Sequence, residues 1–168
     1  NSISAVTLYA TLGEEAFKHI CEQTLIETIC ISPDSNVDQL IKYKKMFNLP
    51  FLKNVIVFDL TQPMLNGGYE KLENAGFKVF KFTDLMKADE KSANITLKTS
   101  NSDTIYTICY TSGTTGQPKA VLLSHDNMVW ITKSLHNGYK HMLGQNNRIV
   151  SYLPLSHIAA QIMDIYRN

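Results

Sequence analysis

The sequence predicts an α/β fold: an open, mostly parallel sheet flanked by helices. Three observations carry this reading. Short β-type runs alternate with helical patterns in β-α-β-α order over residues 1–90. One run, Asn54-Val-Ile-Val-Phe58, is almost continuously apolar, as expected of a strand buried on both faces of a parallel sheet. The 168 residues are 44% hydrophobic and 18% charged, the composition of a globular chain with a substantial core.

The elements follow in order. Thr11-x-x-Glu14 reads as a capping box, after which Ala16, Phe17, Ile20, Cys21 and Thr24 fall on one helical face. Thr28–Ser32 is a short strand ended by Pro33. Val37, Leu40, Ile41 and Phe47 mark a helix stopped near Pro50. After the Asn54–Phe58 strand, a short helix around Tyr69–Asn74 ends at Gly76, and Phe77–Phe82 is another strand. Thr83 is placed to cap a helical stretch running to about Glu90. Residues 91–103 are rich in Ser, Thr and Asn and form the best linker candidate. The expected organisation is therefore an α/β unit at 1–90, a linker at 91–103 and a segment at 104–168 of different texture. In that segment Ile105–Tyr110 and Ala120–Leu123 are β-type runs around a Gly/Thr/Ser loop, Thr111–Pro118. Ser124 can cap a helix carrying Met128, Val129, Ile131, Thr132 and Leu135, with Trp130 expected in the core. Arg148–Leu153 reads as a strand, Pro154 breaks it, and Ser156 can cap a last helix.

Charge and composition exclude several classes. Sixteen Lys and Arg against fifteen Asp and Glu leave a net charge of +1, without a basic cluster to follow nucleic acid. No apolar run approaches the ~20 residues of a membrane-spanning helix. Lys42, Lys44 and Lys45 read as a solvated helix face. Three cysteines, Cys21, Cys30 and Cys109, form no CxxC, and all are expected to be buried thiols in a reducing compartment. His136 and His141 are off a common helical face, so a metal pair is not expected. His19 and His125 read as surface positions. Residue 1 is Asn without a targeting segment after it, and Ile158, Ile162, Ile165 and Tyr166 keep helical spacing up to Asn168. Both ends therefore read as cuts in a longer chain.

The segment that carries chemistry is Tyr110-Thr-Ser-Gly-Thr-Thr-Gly-Gln-Pro-Lys119. Gly113 and Gly116 allow tight turns that point successive N–H groups into one concavity, a ready anion site. The hydroxyls of Thr111, Ser112, Thr114 and Thr115 add donors, and Lys119 adds a point charge suited to phosphate. No Asp or Glu occurs from Thr104 to His125. A solvated hairpin turn has the same composition, so residue types alone leave both readings open. The loop is not the G-x-x-x-x-G-K-[ST] P-loop, because Gly113 and Gly116 are too close and Ala120 follows the lysine.

Order and spacing of that segment resemble the signature loop of the adenylate-forming superfamily: acyl-CoA synthetases, luciferases and peptide-synthetase adenylation domains. Val150-Ser-Tyr-Leu-Pro-Leu-Ser-His-Ile-Ala-Ala-Gln161 is similar to the second motif of long-chain fatty acyl-CoA synthetases, most of all the bubblegum-type branch. Leu8-Tyr-Ala-Thr-Leu-Gly13 resembles the synthetases' Leu-Tyr-Asp-Thr-Leu-Gly segment. Ala120 stands where glycine usually follows the motif lysine, and Ala10 where Asp is common.

The resemblance implies part of the large N-terminal domain of a long-chain fatty acid–CoA ligase, with fatty acid, ATP and CoA as substrates and Mg²⁺ as cofactor. It assigns Thr111, Ser112, Gly113, Thr114, Thr115, Gly116 and Lys119 to the ATP phosphates, and His157 and Gln161 to the substrate pocket. Residues alone equally suit a helix-start histidine and a solvated glutamine. No catalytic residue and no metal ligand is assigned within the chain. The later ATP and Mg-binding motifs and the C-terminal catalytic lysine would lie beyond Asn168, and Lys119 is not that lysine. The parent is expected on the cytoplasmic side, peripheral to a membrane. Two alternatives are an adenylating enzyme for another carboxylic acid and a phosphate-holding α/β module without turnover.

Overall fold

A computed structural model describes residues 3–9, 11–87, 99–111, 116–139 and 150–166 of the chain. It divides into two compact units, Gly13–Ile95 on one hand and Asn1–Leu12 with Thr96–Asn168 on the other.

The Gly13–Ile95 unit alternates helices and strands: α1 (Glu14–Thr24), β2 (Thr28–Ile31), α2 (Val37–Met46), β3 (Asn54–Val57), α3 (Gly68–Asn74), β4 (Lys78–Lys81) and α4 (Phe82–Leu85). The numbering leaves β1 for Ala5–Val6 of the other unit. The three strands form one parallel sheet in the order β2-β3-β4. α1 buries Phe17, Ile20 and Cys21, the apolar spacing read from the sequence. Its expected Thr11–Glu14 capping box does not form. Glu14 is the first helical residue and Gly13 the cap, without a side-chain hydrogen bond, so Thr11 lies too far out to reach the first N–H groups. α2 opens on Asn36, whose side chain accepts from Gln39 N at 3.0 Å. Gly76 closes α3 at φ +80°, a left-handed conformation where a side chain would be strained.

Val55, Val57, Leu49, Leu52 and Leu72 are the fully buried centre of this unit. β3 is not sheathed on both sides, however. Val55 and Val57 are buried, Ile56 is half-buried, and Phe58 beyond the strand is 41% exposed. Adjacent strands joined in sequence by right-handed crossovers put their helices on one face, and α2 indeed packs against α3. The row Cys30–Ile56–Phe80, matched across the three strands, therefore lies on the other face. Cys30 is exposed for this reason, against the expectation of three buried thiols; Cys21 and Cys109 are buried. α4 begins one residue before Thr83 rather than after it, with Lys81 at the cap, and it ends at Leu85, short of the stretch expected to about Glu90, of which residues 88–90 lie outside the described residues. Lys44 is not simply solvated: its Nζ sits 3.7 Å from the Phe77 ring centroid.

In the other unit β1 pairs in parallel with β5 (Ile105–Thr111), and β5 pairs antiparallel with β6 (Lys119–Ser124). Thr107 is fully buried and donates its hydroxyl to Ala5 O at 3.0 Å, while Ser4 Oγ donates to Ile105 O at 2.7 Å. α5 (His125–Tyr139) starts at a reciprocal cap. Asn127 N donates to Ser124 Oγ at 3.3 Å and Ser124 N to Asn127 Oδ1 at 3.0 Å. His125 N and Asp126 N donate to Thr104 O and Ser102 O, so the helix start leaves none of these donors orphaned. Met128 is buried, but Trp130 is 66% exposed rather than in the core. It lies about 200° around the helix from Met128, off the stripe that Ile131, Thr132 and Leu135 continue. The strand expected at Arg148–Leu153 is also absent over its described part, 150–153. These residues belong to neither of the described sheets. After Pro154 come α6 (Ile158–Ala160) and a π-helical turn, Gln161–Tyr166.

Of the linker expected at 91–103, residues 91–98 lie outside the described residues. Among the described residues no helix is long and apolar enough to cross a membrane.

Candidate functional site

The β5–β6 hairpin carries the loop singled out in the sequence. Its base is fixed by buried side chains: Thr107 and Cys109 point into the unit, and Tyr110 is 6% exposed. The register runs Cys109 to Val121, Tyr110 to Ala120 and Thr111 to Lys119, so the last paired residues flank the loop on both sides. Thr111 and Lys119 are both exposed, and Thr111 Oγ1 donates to Lys119 O at 3.5 Å. Among the described residues no carboxylate pairs with the Lys119 ammonium. Gly116 takes φ +91° in open space, where an added Cβ would meet nothing within 4 Å. Its conformation rather than crowding calls for glycine. Ser112, Gly113, Thr114 and Thr115 lie outside the described residues.

This arrangement suits anion binding at the hairpin tip. A cation and a hydroxyl stand on opposite strands at the loop's mouth, and a left-handed glycine leads the chain back into β6. The Ala120 methyl is on the hairpin, paired with Tyr110, and half-buried.

His157 stands one step before the first turn of α6, not within it. It is the cap in place of Ser156: its Nδ1 accepts from Ala159 N at 3.2 Å. An accepting Nδ1 leaves Nε2 to carry the ring proton. His157 N donates to Pro154 O at 2.8 Å, and Ala160 N and Gln161 N both donate to His157 O, at 3.0 and 3.3 Å. Gln161 is only 7% exposed, and its Nε2 donates to Leu155 O at 2.9 Å. The glutamine amide thus points back into its own turn, a role with no signal in the sequence. The structure joins Thr111 with Lys119 and His157 with Gln161; no hydrogen bond among the described residues joins one pair to the other.

Among the described residues the remaining titratable groups make no second site. His125 packs edge-on against Tyr106, with centroids 5.5 Å apart, and His136 is exposed. His141 lies outside the described residues. Among the described residues no group of three or more His, Cys, Asp or Glu converges as for a metal ion. A pocket of about 390 Å³ opens where β2 and β3 end, between Ser35, Asn36, Met64 and Lys71. It belongs to the Gly13–Ile95 unit and contains none of the loop or His157 residues.

Residues 2–167 match the family model described as AMP-binding enzyme. The rat long-chain-fatty-acid–CoA ligase ACSBG2 is 34% identical over 167 residues, which are 96% of this chain and 23% of that protein. Human ACSBG1, also a long-chain-fatty-acid–CoA ligase, is 32% identical over 95% of this chain and 21% of its own length. The chain thus spans less than a quarter of the curated relatives it matches. In fold it is similar to the A domain of a Segniliparus rugosus carboxylic acid reductase, solved with AMP and a co-purified carboxylic acid. That match has a TM-score of 0.66 at 18% identity, over 95% of this chain and 27% of the other. The adenylation domain of the Mycobacterium chelonae carboxylate reductase gives 0.65 at 19%, over 94% and 25%.

Proposed function

Because this chain belongs to the AMP-binding enzyme family, we propose that it is the phosphate-loop portion of an ATP-dependent long-chain fatty acid–CoA ligase. The observation that carries the proposal is the hairpin register that sets Lys119 opposite Thr111 at the mouth of the Ser112–Thr115 loop.

In this reading a fatty-acid carboxylate oxygen attacks the α-phosphorus of ATP. The bond to the bridging oxygen breaks, and pyrophosphate leaves with the negative charge. The loop's part is to receive that charge. Backbone N–H groups of Ser112–Gly116, the hydroxyls of Thr111, Ser112, Thr114 and Thr115, and the Lys119 ammonium hold the β- and γ-phosphates. Each well-placed donor contributes about 3 kcal/mol to the transition state once water is excluded. In the second step the CoA thiol attacks the acyl carbonyl and AMP departs. His157 forms part of the wall of the substrate site, toward the carboxylate and α-phosphate. Mg²⁺, when bound, would neutralise charge on the phosphates; in this reading its ligands, like the catalytic lysine, are residues other than those named here. In this reading the parent acts on the cytoplasmic side.

The test is Thr111→Ala combined with Lys119→Ala in the longer ligase, read by ATP–pyrophosphate exchange driven by a long-chain fatty acid. The expected outcome is a strong loss of exchange. Unchanged exchange would leave the loop a structural hairpin only. The 168 residues alone are expected to form no thioester and to bind ATP weakly, and tight binding by calorimetry would contradict the division of labour proposed here.

A further inference from the structure

We infer that Gln161 is a positioning residue for His157, acting through the turn Pro154–His157 rather than by touching substrate. The inference rests on the ligase reading only for what His157 does; the geometry stands without it.

Apart from the His157 N–H bond to Pro154 O and the Ala160 N–H bond to His157 O, the turn is largely exposed. Leu155 is 53% exposed, His157 is exposed, and α6 contributes only three residues before the backbone widens into the π-helical turn at Gln161. Gln161 opens that turn with helical backbone angles, φ −57° and ψ −45°. It is buried, and a buried amide must find partners. It finds one in the Leu155 carbonyl at 2.9 Å, six residues back and two before the histidine. The same residue's N–H reaches His157 O at 3.3 Å. Gln161 thus grips the turn on both sides of Ser156. With both carbonyls held, the ring is left at the cap, where Ala159 N donates to Nδ1 at 3.2 Å. The proton then sits on Nε2, the nitrogen free to meet an incoming group.

This differs from a glutamine lining a pocket. A lining residue recognises substrate directly, and its loss raises KM. A positioning residue sets the tautomer and placement of another group, and its loss alters that group even with no substrate present.

The test is nitrogen and carbon NMR of the His157 imidazole and the Ala159 amide in the 168-residue chain. Wild type is expected to show one tautomer, with Nδ1 unprotonated and Ala159 N–H protected from exchange. Gln161→Leu and Gln161→Glu keep the approximate shape but remove the donor. In both, tautomer mixing and Ala159 exchange faster by about tenfold or more are expected, with β1, β5 and β6 resonances, which belong to the same unit as Gln161, unchanged as the check on folding. A wild-type His157 carrying its proton on Nδ1 would overturn the inference without any variant. An unchanged tautomer and unchanged exchange in folded Gln161→Glu would also overturn it. In the longer ligase, Gln161→Leu should lower kcat for adenylate formation about 10- to 100-fold while leaving the KM for fatty acid within about twofold. A raised KM with unchanged kcat would instead make Gln161 a pocket contact and sink the positioning role. If the wild-type ligase forms no acyl-adenylate, the ligase reading falls, and the NMR result still decides the role of Gln161.

Discussion

Asp59, just past the end of β3, accepts two hydrogen bonds from Thr83 in the first turn of α4: the backbone N–H at 3.0 Å and the hydroxyl at 2.9 Å. The carboxylate thus caps a helix that begins more than twenty residues later, joining the ends of two adjacent strands. The Thr83 N–H holds the Asp59 carboxyl below the usual carboxylate range; burial opposes this, and the Thr83 hydroxyl and Lys81 charge support it. A depressed folded pKa adds stability that is present above the unfolded value of about 4 and lost as pH falls through the folded one. Asp59→Asn is therefore expected to lower Tm at pH 7, with the gap from wild type closing as pH falls below 4. Thermal melts across that range check it, and a gap constant down to pH 3 would refute the linkage.

The three thiols should separate by reactivity. Burial, with the Glu22 charge adding to it, pushes the Cys21 thiol up to about 12. Cys109 is buried, whereas Cys30 is exposed on the uncovered sheet face, although partial burial raises its thiol too. Thiolate is the reactive species. Iodoacetamide at pH 8 should label Cys30 first and the other two only on unfolding, as peptide mass mapping would show. Labelling of Cys21 ahead of Cys30 would mean the α1 face is not packed as described.

Leu72 is fully buried beneath the β2-β3-β4 sheet. Replacing it with alanine removes its contacts and leaves a cavity, at about 2–5 kcal/mol. Urea unfolding of Leu72→Ala should show a lower midpoint and an unfolding free energy reduced by that amount.

Gly116 offers a test of conformation apart from charge. At φ +91° an alanine is strained by about 1–2 kcal/mol, while asparagine tolerates this region better. Gly116→Ala should lower pyrophosphate exchange in the longer ligase with Tm nearly unchanged, and Gly116→Asn should fall less. Equal activity in all three would free the loop from its glycine.

Much of this was legible where a side-chain pattern repeats. Phe17, Ile20 and Cys21 show the face of α1, and the runs around Ile29, Val55 and Val79 show the parallel strands. Local chemistry was less legible, because caps depend on a single step of register. Thr11 and Ser156 offered suitable hydroxyls, but the helices begin after Gly13 and His157. Trp130 misled because residue type argued for burial while its place on α5 turns it outward. The candidate site was legible only through the order of residues 110–119 and 150–161. Neither periodicity nor composition points to the Gln161–Leu155 bond, since a backbone carbonyl leaves no trace in the residue that bears it.

The pairing of β1 with β5 sets a timetable for the chain. Ala5 and the Thr107 hydroxyl it receives are 102 positions apart, with all of Gly13–Ile95 between them. At ~5–20 residues per second, the ribosome releases Ala5 roughly 5–20 seconds before Thr107 is made. The intervening unit can complete its own sheet in that interval, and lengthening the closed loop adds only slowly to the entropy of joining its ends. β1 is thereby made well before its partner, and it docks beside the strand that leads into the 111–119 hairpin loop.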